Sequence, residues 1–340
     1  MSAKREHACR ADTVVYSRRV FDVYLGLTAS GYHLANPIRA GLLIQAVLTG
    51  NWPKTALDYF REARIDDGRV NPYWPRGSIL AAVAWLTECG DLDPDLPSIC
   101  AYLATLRNVS PAERGCDVAK WALALPDHIL SLESCSEYGN ALSAYALSVE
   151  QEISSNGLDY SRKVRHAVAK LARLFPGPPQ SVLTVLNPLQ ADELTDVIHT
   201  DRSACIVTSH LRPESYLHEL IELHLEAVLP EWRPAIARRR RLLDAVYESM
   251  NQLSYAWDRT DTSWVNVFCE TLTRSLAAWV LAGHSPPQLE EQVGQIVGGG
   301  FIYARPIVEA IAGGASVQPL TVEWLERCLD ACDAVGRAEA

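Results

Sequence analysis

A breaker cluster and two short β-branched runs interrupt an otherwise helical chain, and that interruption limits the folds open to it. Pro176, Gly177, Pro178 and Pro179 end any helix that precedes them, because proline fixes φ and gives up its amide donor. The run Ser181-Val-Leu-Thr-Val-Leu186 follows, closed by Asn187 and Pro188. A second run, Ser203-Ala-Cys-Ile-Val-Thr-Ser209, comes soon after. Both are short, apolar and bounded by turn formers, so they read as strands. Arg212-Pro213-Glu214 then opens a long helix. Proline suits the first helical position, and an acid is favoured at the positive end of the helix. The order helix, strand, strand, helix predicts an α+β fold that is predominantly helical, with a small sheet.

The N-terminal part carries further helical patterns over residues 37–48, 52–64, 78–87, 96–106 and 111–125. Residues 20–27 and 138–153 admit either a helix or a strand, since an apolar run without a clear period fits both. Residues 66–72 are dense in turn formers. The character changes at Gly157, so the chain divides into a helical region, 1–157, and a second region, 158–340. In the second region an amphipathic helix is expected over 160–175. The helix opened by Pro213 should stop before Pro230. A basic helical stretch covers 234–257, and a second long helix covers 262–282. That helix has an apolar face of Trp264, Val267, Phe268, Leu272, Leu276 and Trp279. Gly298, Gly299 and Gly300 lack the Lys-Ser/Thr of a phosphate loop and read as a turn.

Of the 340 residues, 48% are hydrophobic and 21% charged, which is the balance of a globular chain with ample core. The net charge of −10 argues against nucleic acid or an anionic membrane as the main partner. Arg238 to Arg241 run against the trend and read as the solvated face of a helix. The nine cysteines are scattered without a C-x-x-C pair, which favours a reducing cytoplasm over a disulfide scaffold. Cys328 and Cys332 share one helical face and read as helix packing. No apolar leader segment and no run of about eighteen apolar residues is present, so neither a signal peptide nor a membrane span is expected.

Chemistry concentrates at His218-Glu219-Leu220-Ile221-Glu222. Positions i and i+4 lie on one helical face, so His218 and Glu222 can grip one ion. Four of the nine histidines fall between His199 and His224. Glu270 is an acid inside a very apolar helix, where a free carboxylate is costly. It needs a partner: a metal ion is one candidate, and Arg274, one turn on, is another. His224 sits six residues past His218 and so off the ligand face. His210 precedes the helix and reads either as reaching a pocket or as capping a loop.

The stretch from Ser203 to Glu222 resembles the strand, loop and helix of zincin-type zinc proteases, whose helix carries H-E-x-x-H. Here Glu stands where the second histidine is expected. The segment around Glu270 is similar to the later helix of the gluzincin branch, which supplies a third ligand. The resemblance covers roughly residues 160–305 and implies a zincin-like unit with two crossing helices. It implies zinc, or another divalent transition metal, on His218, Glu222 and Glu270. It also implies Glu219 as the base that activates water, and Tyr303 or His284 as the donor that steadies an oxyanion. The 203–209 strand would be an edge strand that binds substrate backbone. Two acids and one histidine neutralise a divalent ion, which implies weak hydrolysis, iron or manganese in place of zinc, or no turnover.

The expected function is therefore metal-dependent hydrolysis of a peptide or amide bond in a peptide or protein substrate. Two alternatives stand beside it: an inactive zincin-like protein that binds a peptide or protein partner, and a helical interaction module in which the motif is accidental. Residues Asp66 and Asp67 resemble half of an aspartate-rich diphosphate motif, but Gly68 and Pro72 break the helix it needs.

Overall fold

The computed structural model describes residues 14–31, 37–62, 75–105, 116–175, 181–192, 195–199, 203–244, 261–283, 285–313 and 321–339. It is predominantly helical with one small sheet, and it forms two compact units. One comprises Thr13–Tyr160 and Leu183–Leu211; the other comprises Ser161–Val182 and Arg212–Ala340. Gly157 lies within an unbroken helix, and the changeover between units falls at Tyr160 and Ser161.

The first unit starts with strand β1 (Val14–Val15) and helix α1 (Arg18–Ala29). The Ser17 side chain caps α1 by accepting from the Val20 amide at 3.1 Å. Every residue from Val20 to Thr28 is buried. A helix buried all round has no polar face, which is why its sequence also admitted a strand. Helices α2 (Pro37–Thr49) and α3 (Lys54–Arg61) follow. Gly26 lets α1 approach α3, because a Cβ there would come within 2.3 Å of the ring of the fully buried Phe60. Alanine normally improves a helix by about 1 kcal/mol over glycine. Gly26→Ala is expected to reverse that sign and cost about 2 kcal/mol through overpacking. Urea unfolding followed by circular dichroism checks it; a stabilised variant would show that Phe60 yields freely.

Helices α4 (Pro75–Cys89), α5 (Leu96–Thr105), α6 (Cys116–Leu123) and α7 (Leu125–Glu133) continue the unit. The helix expected over 111–125 is α6, which ends at Leu123, and a separate α7 with Pro126 in its first turn follows it; residues 111–115 lie outside the described set, as do Asp66 and Asp67. Helix α8 (Tyr138–Leu174) runs for 37 residues, which settles 138–153 as helix.

Strands β2 (Ser181–Leu186), β3 (Asp196–His199) and β4 (Ser203–Thr208) complete a four-stranded sheet in the order β1-β2-β4-β3. β1 pairs parallel with β2, and β3 pairs antiparallel with β4, His199 opposite Ala204. β4 is therefore interior, with a strand on each side. Its residues Ala204, Cys205, Ile206 and Val207 are all buried. The edge strand implied by the zincin resemblance is thus not what this chain builds: the backbone groups of β4 are engaged by its own sheet.

From Arg212 onward, the described elements of the second unit are all helices. Helix α9 (Pro213–Ala237) passes through Pro230 and Pro234, although the sequence reading ended it before Pro230. Both prolines are exposed, so water can reach the carbonyls they leave without an amide donor. Trp232 and Ile236, on the opposite side, are buried. The Trp264 indole donates to the Ile236 carbonyl at 2.7 Å, so tertiary packing carries the helix past its breakers. A short α10 (Arg241–Asp244) follows, then α11 (Asp261–Ala282), α12 (Pro286–Gly298), α13 (Ala304–Gly313) and α14 (Val322–Glu339). Gly300 takes a positive φ of 93° in the turn that closes α12.

The basic run is not a free solvated face. Arg238 pairs with Glu326 at 3.0 Å, Arg239 with Asp330 at 2.6 Å, and Arg241 with the buried Asp333 at 2.9 Å. Arg239 also pairs with Asp333. These ties hold the end of α9 and α10 to α14, whose Cys328 and Cys332 are core residues. Among the described residues, no helix is long and apolar enough to cross a membrane.

Candidate metal centre

Helices α9 and α11 pack extensively against each other. His218 and Glu222 stand one turn apart on α9, where the i and i+4 positions share a face, and Glu270 comes from α11. His218 Nε2 lies 3.4 Å from Glu222 Oε1 and 3.4 Å from Glu270 Oε2. One ligand atom from each of the three lies within 4.8 Å of the others. Metal–ligand bonds of about 2.0–2.2 Å at tetrahedral angles place ligand atoms roughly 3.3–3.6 Å apart, so the two distances from His218 suit a shared ion. The sequence reading required this convergence of positions 218, 222 and 270, and the structure brings them together.

The charges around the triad follow from its partial burial. The His218 side chain is 23% exposed, Glu270 16% and Glu222 39%, so solvent reaches the group from the Glu222 side. Burial opposes charge on the His218 imidazole, but the Glu270 charge and the contacts to both carboxylates outweigh it. The imidazole pKa ends well above its ordinary value. Burial likewise opposes the Glu270 carboxylate, yet His218 and Arg274 hold its pKa down to about 2. Glu270 is therefore ionised throughout the neutral range. Arg274 Nε donates to Glu270 Oε1 at 2.7 Å, and its guanidinium lies 4.7 Å above the Phe301 ring. The carboxylate is held by one oxygen and presents the other to His218. The two partners considered for Glu270 from the sequence, a site on α9 and Arg274, are thus both in use. The supporting ring of Phe301 carried no sequence signal.

Glu219 is buried, and burial raises its carboxyl to about 8, with the His218 charge opposing and the acids around it adding to the rise. Cys269, next to Glu270, stays a thiol: burial and the charges of Glu222 and Glu270 push it to about 12.

The remaining candidates lie elsewhere. The Tyr303 hydroxyl donates to the Leu242 carbonyl at 2.8 Å, and its ring packs edge-on against Trp264 at 6.0 Å. Its donor is committed to the backbone, which is a packing role and not that of an oxyanion donor. His284 lies outside the described residues. His224 stacks on Phe175 with ring centres 4.7 Å apart, off the ligand face as its spacing required. His210, in the first unit, contacts Ser209 Oγ at 2.9 Å and Asp192 at 3.7 Å.

Together the fold and the site define a mainly helical α+β protein with a one-histidine, two-carboxylate group that can hold a metal ion. No protein-family model, curated protein or solved structure matches the chain.

Proposed function

We propose that this chain is a divalent-metal protein that holds one ion on His218, Glu222 and Glu270 and uses it to hydrolyse a peptide or amide bond. The observation that carries the reading is the meeting of three ligand atoms, from two helices, within 4.8 Å of one another. One imidazole nitrogen and two carboxylate oxygens suit zinc, and equally manganese or iron(II). Three protein ligands would leave a bound ion a coordination position for water or substrate, as catalytic centres do. A bound divalent ion supplies Lewis acidity toward a carbonyl and makes water easier to deprotonate.

The chain's own residues supply the rest. Arg274 fixes the orientation of Glu270 through one oxygen, as outer partners of metal ligands do. Glu219, adjacent to His218 in sequence and near neutrality in its titration, accepts the proton from water and returns it to the leaving amine. Two anionic ligands cancel the charge of the ion, so activation of water is weaker here than at a two-histidine site.

The test uses the full chain. Elemental analysis after dialysis should find one zinc, manganese or iron per chain. Cleavage of a mixed peptide library, read by mass spectrometry, should fall at least ~100-fold in Glu219→Gln, the scale of losing a general base, while metal content is kept. Equal cleavage by wild type and Glu219→Gln overturns the activity, and metal-free wild type overturns the centre.

A further inference from the structure

We propose that a depression on the second unit, walled by Arg162, Lys163 and His166, binds a small phosphorylated molecule. The depression has a volume of about 260 Å³, and the part-exposed Leu281 of α11 gives it an apolar side, backed by the buried Val280. Arg162, Lys163 and His166 are exposed residues within two turns of α8. The helix from 161 to 174 carries five Lys or Arg and no acid; the nearest carboxylate along it is Asp159, one turn before Arg162. This is a local reversal on a chain whose net charge is −10.

A further cation stands beside the depression without lining it. Lys170, one turn past His166, donates to the Val280 carbonyl at 3.2 Å and lies 5.5 Å from the centre of the Trp279 ring. It is held in place by α11 and does not sweep through solvent. Burial pushes its ammonium pKa down.

The chemistry of the walls selects the ligand class. A guanidinium presents paired donors that match phosphate oxygens, and an ammonium adds a compact charge. The apolar side gives an organic body a surface to cover. The size bounds the ligand near the lower end of small-molecule pockets. A long polyanion would meet the negative remainder of the chain, which disfavours it.

The experiment is isothermal titration of the metal-free full chain, so that phosphate held by an ion is not counted, with inorganic phosphate and with phenyl phosphate as probes. One saturable site is expected, tighter for phenyl phosphate because its ring covers the part-exposed Leu281. Arg162→Ala/Lys163→Ala should weaken binding at least tenfold, and the milder Lys163→Gln should weaken it in the same direction. Arg173→Ala, on the same helix but outside the depression, should leave it unchanged. Non-saturable heat, or equal weakening by Arg173→Ala, would show diffuse charge and overturn the site. Binding of an oligonucleotide or an anionic vesicle that phenyl phosphate does not displace would overturn it in favour of a macromolecular partner. None of these outcomes depends on the metal centre, which is read separately by elemental analysis.

Discussion

Glu270→Ala is expected to strip the chain of its stoichiometric divalent ion. His218 Nε2 lies 3.4 Å from Glu270 Oε2, and Glu270 alone brings α11 into the group. Losing an outer partner of a metal ligand costs roughly 10–100-fold in affinity, and losing a ligand itself should exceed that range. Glu222→Ala should do the same from the α9 side. An ion bound only by the folded chain also stabilises it, by about 2.7 kcal/mol at a hundred times the dissociation constant. Added zinc or manganese should therefore raise the melting temperature of wild type and leave Glu270→Ala unmoved. If both proteins respond alike, or neither does, these three side chains are an ion pair with its counter-ions and nothing more.

Asp22→Asn is expected to make the first unit more stable above neutral pH. Asp22 is fully buried in α1. Its Oδ1 accepts from the Tyr138 hydroxyl at 2.6 Å, and Arg18 donates to the same hydroxyl at 2.9 Å. Its Oδ2 is buried with no hydrogen bond, and the Arg19 guanidinium stands off at 3.7 Å while engaging Glu133 at 3.1 Å. Burial therefore raises the carboxyl from 3.8 to about 7. The sign follows. Below pH 4 the acid is neutral folded and unfolded, and it costs nothing. Between about 4 and 7 it ionises only when unfolded, so stability falls as pH rises, and above 7 the loss is complete. The shift sets an upper limit of roughly 4 kcal/mol on that loss. Asparagine cannot ionise, so its unfolding free energy should exceed that of wild type by about 2 kcal/mol at pH 8, with the gap closing by pH 4. Urea titrations at the two pH values decide it; a gap that does not change with pH would show that ionisation is not the cause.

The parts of this fold that were legible in the sequence are those where one local signal suffices. The breakers at 176–179 and the β-branched runs marked β2 and β4, and Pro213 marked the start of α9. The i, i+4 spacing put His218 and Glu222 on one face, and an acid in an apolar helix singled out Glu270. What failed did so because its cause lies elsewhere in the chain. β1 is two residues long and exists only as a partner for β2. α9 survives two prolines because buried tryptophans on its other side hold it. The arginine run found acids about 90 residues away, on α14. Strand order is not written in any strand, so the interior position of β4 could not be read, and a role for it as a substrate-binding margin could be assumed. Tyr303 carried a hydroxyl of the right type but in the wrong place, bonded to Leu242.

The strands that flank this sheet are β1, with two residues, and β3, with four. Among the described residues, a chain arriving at β1 or β3 would find few amides and carbonyls of those strands to register against. Growth of the sheet onto these two strands, whether by a bound peptide or by another copy stacking into fibres, has only a short template to copy.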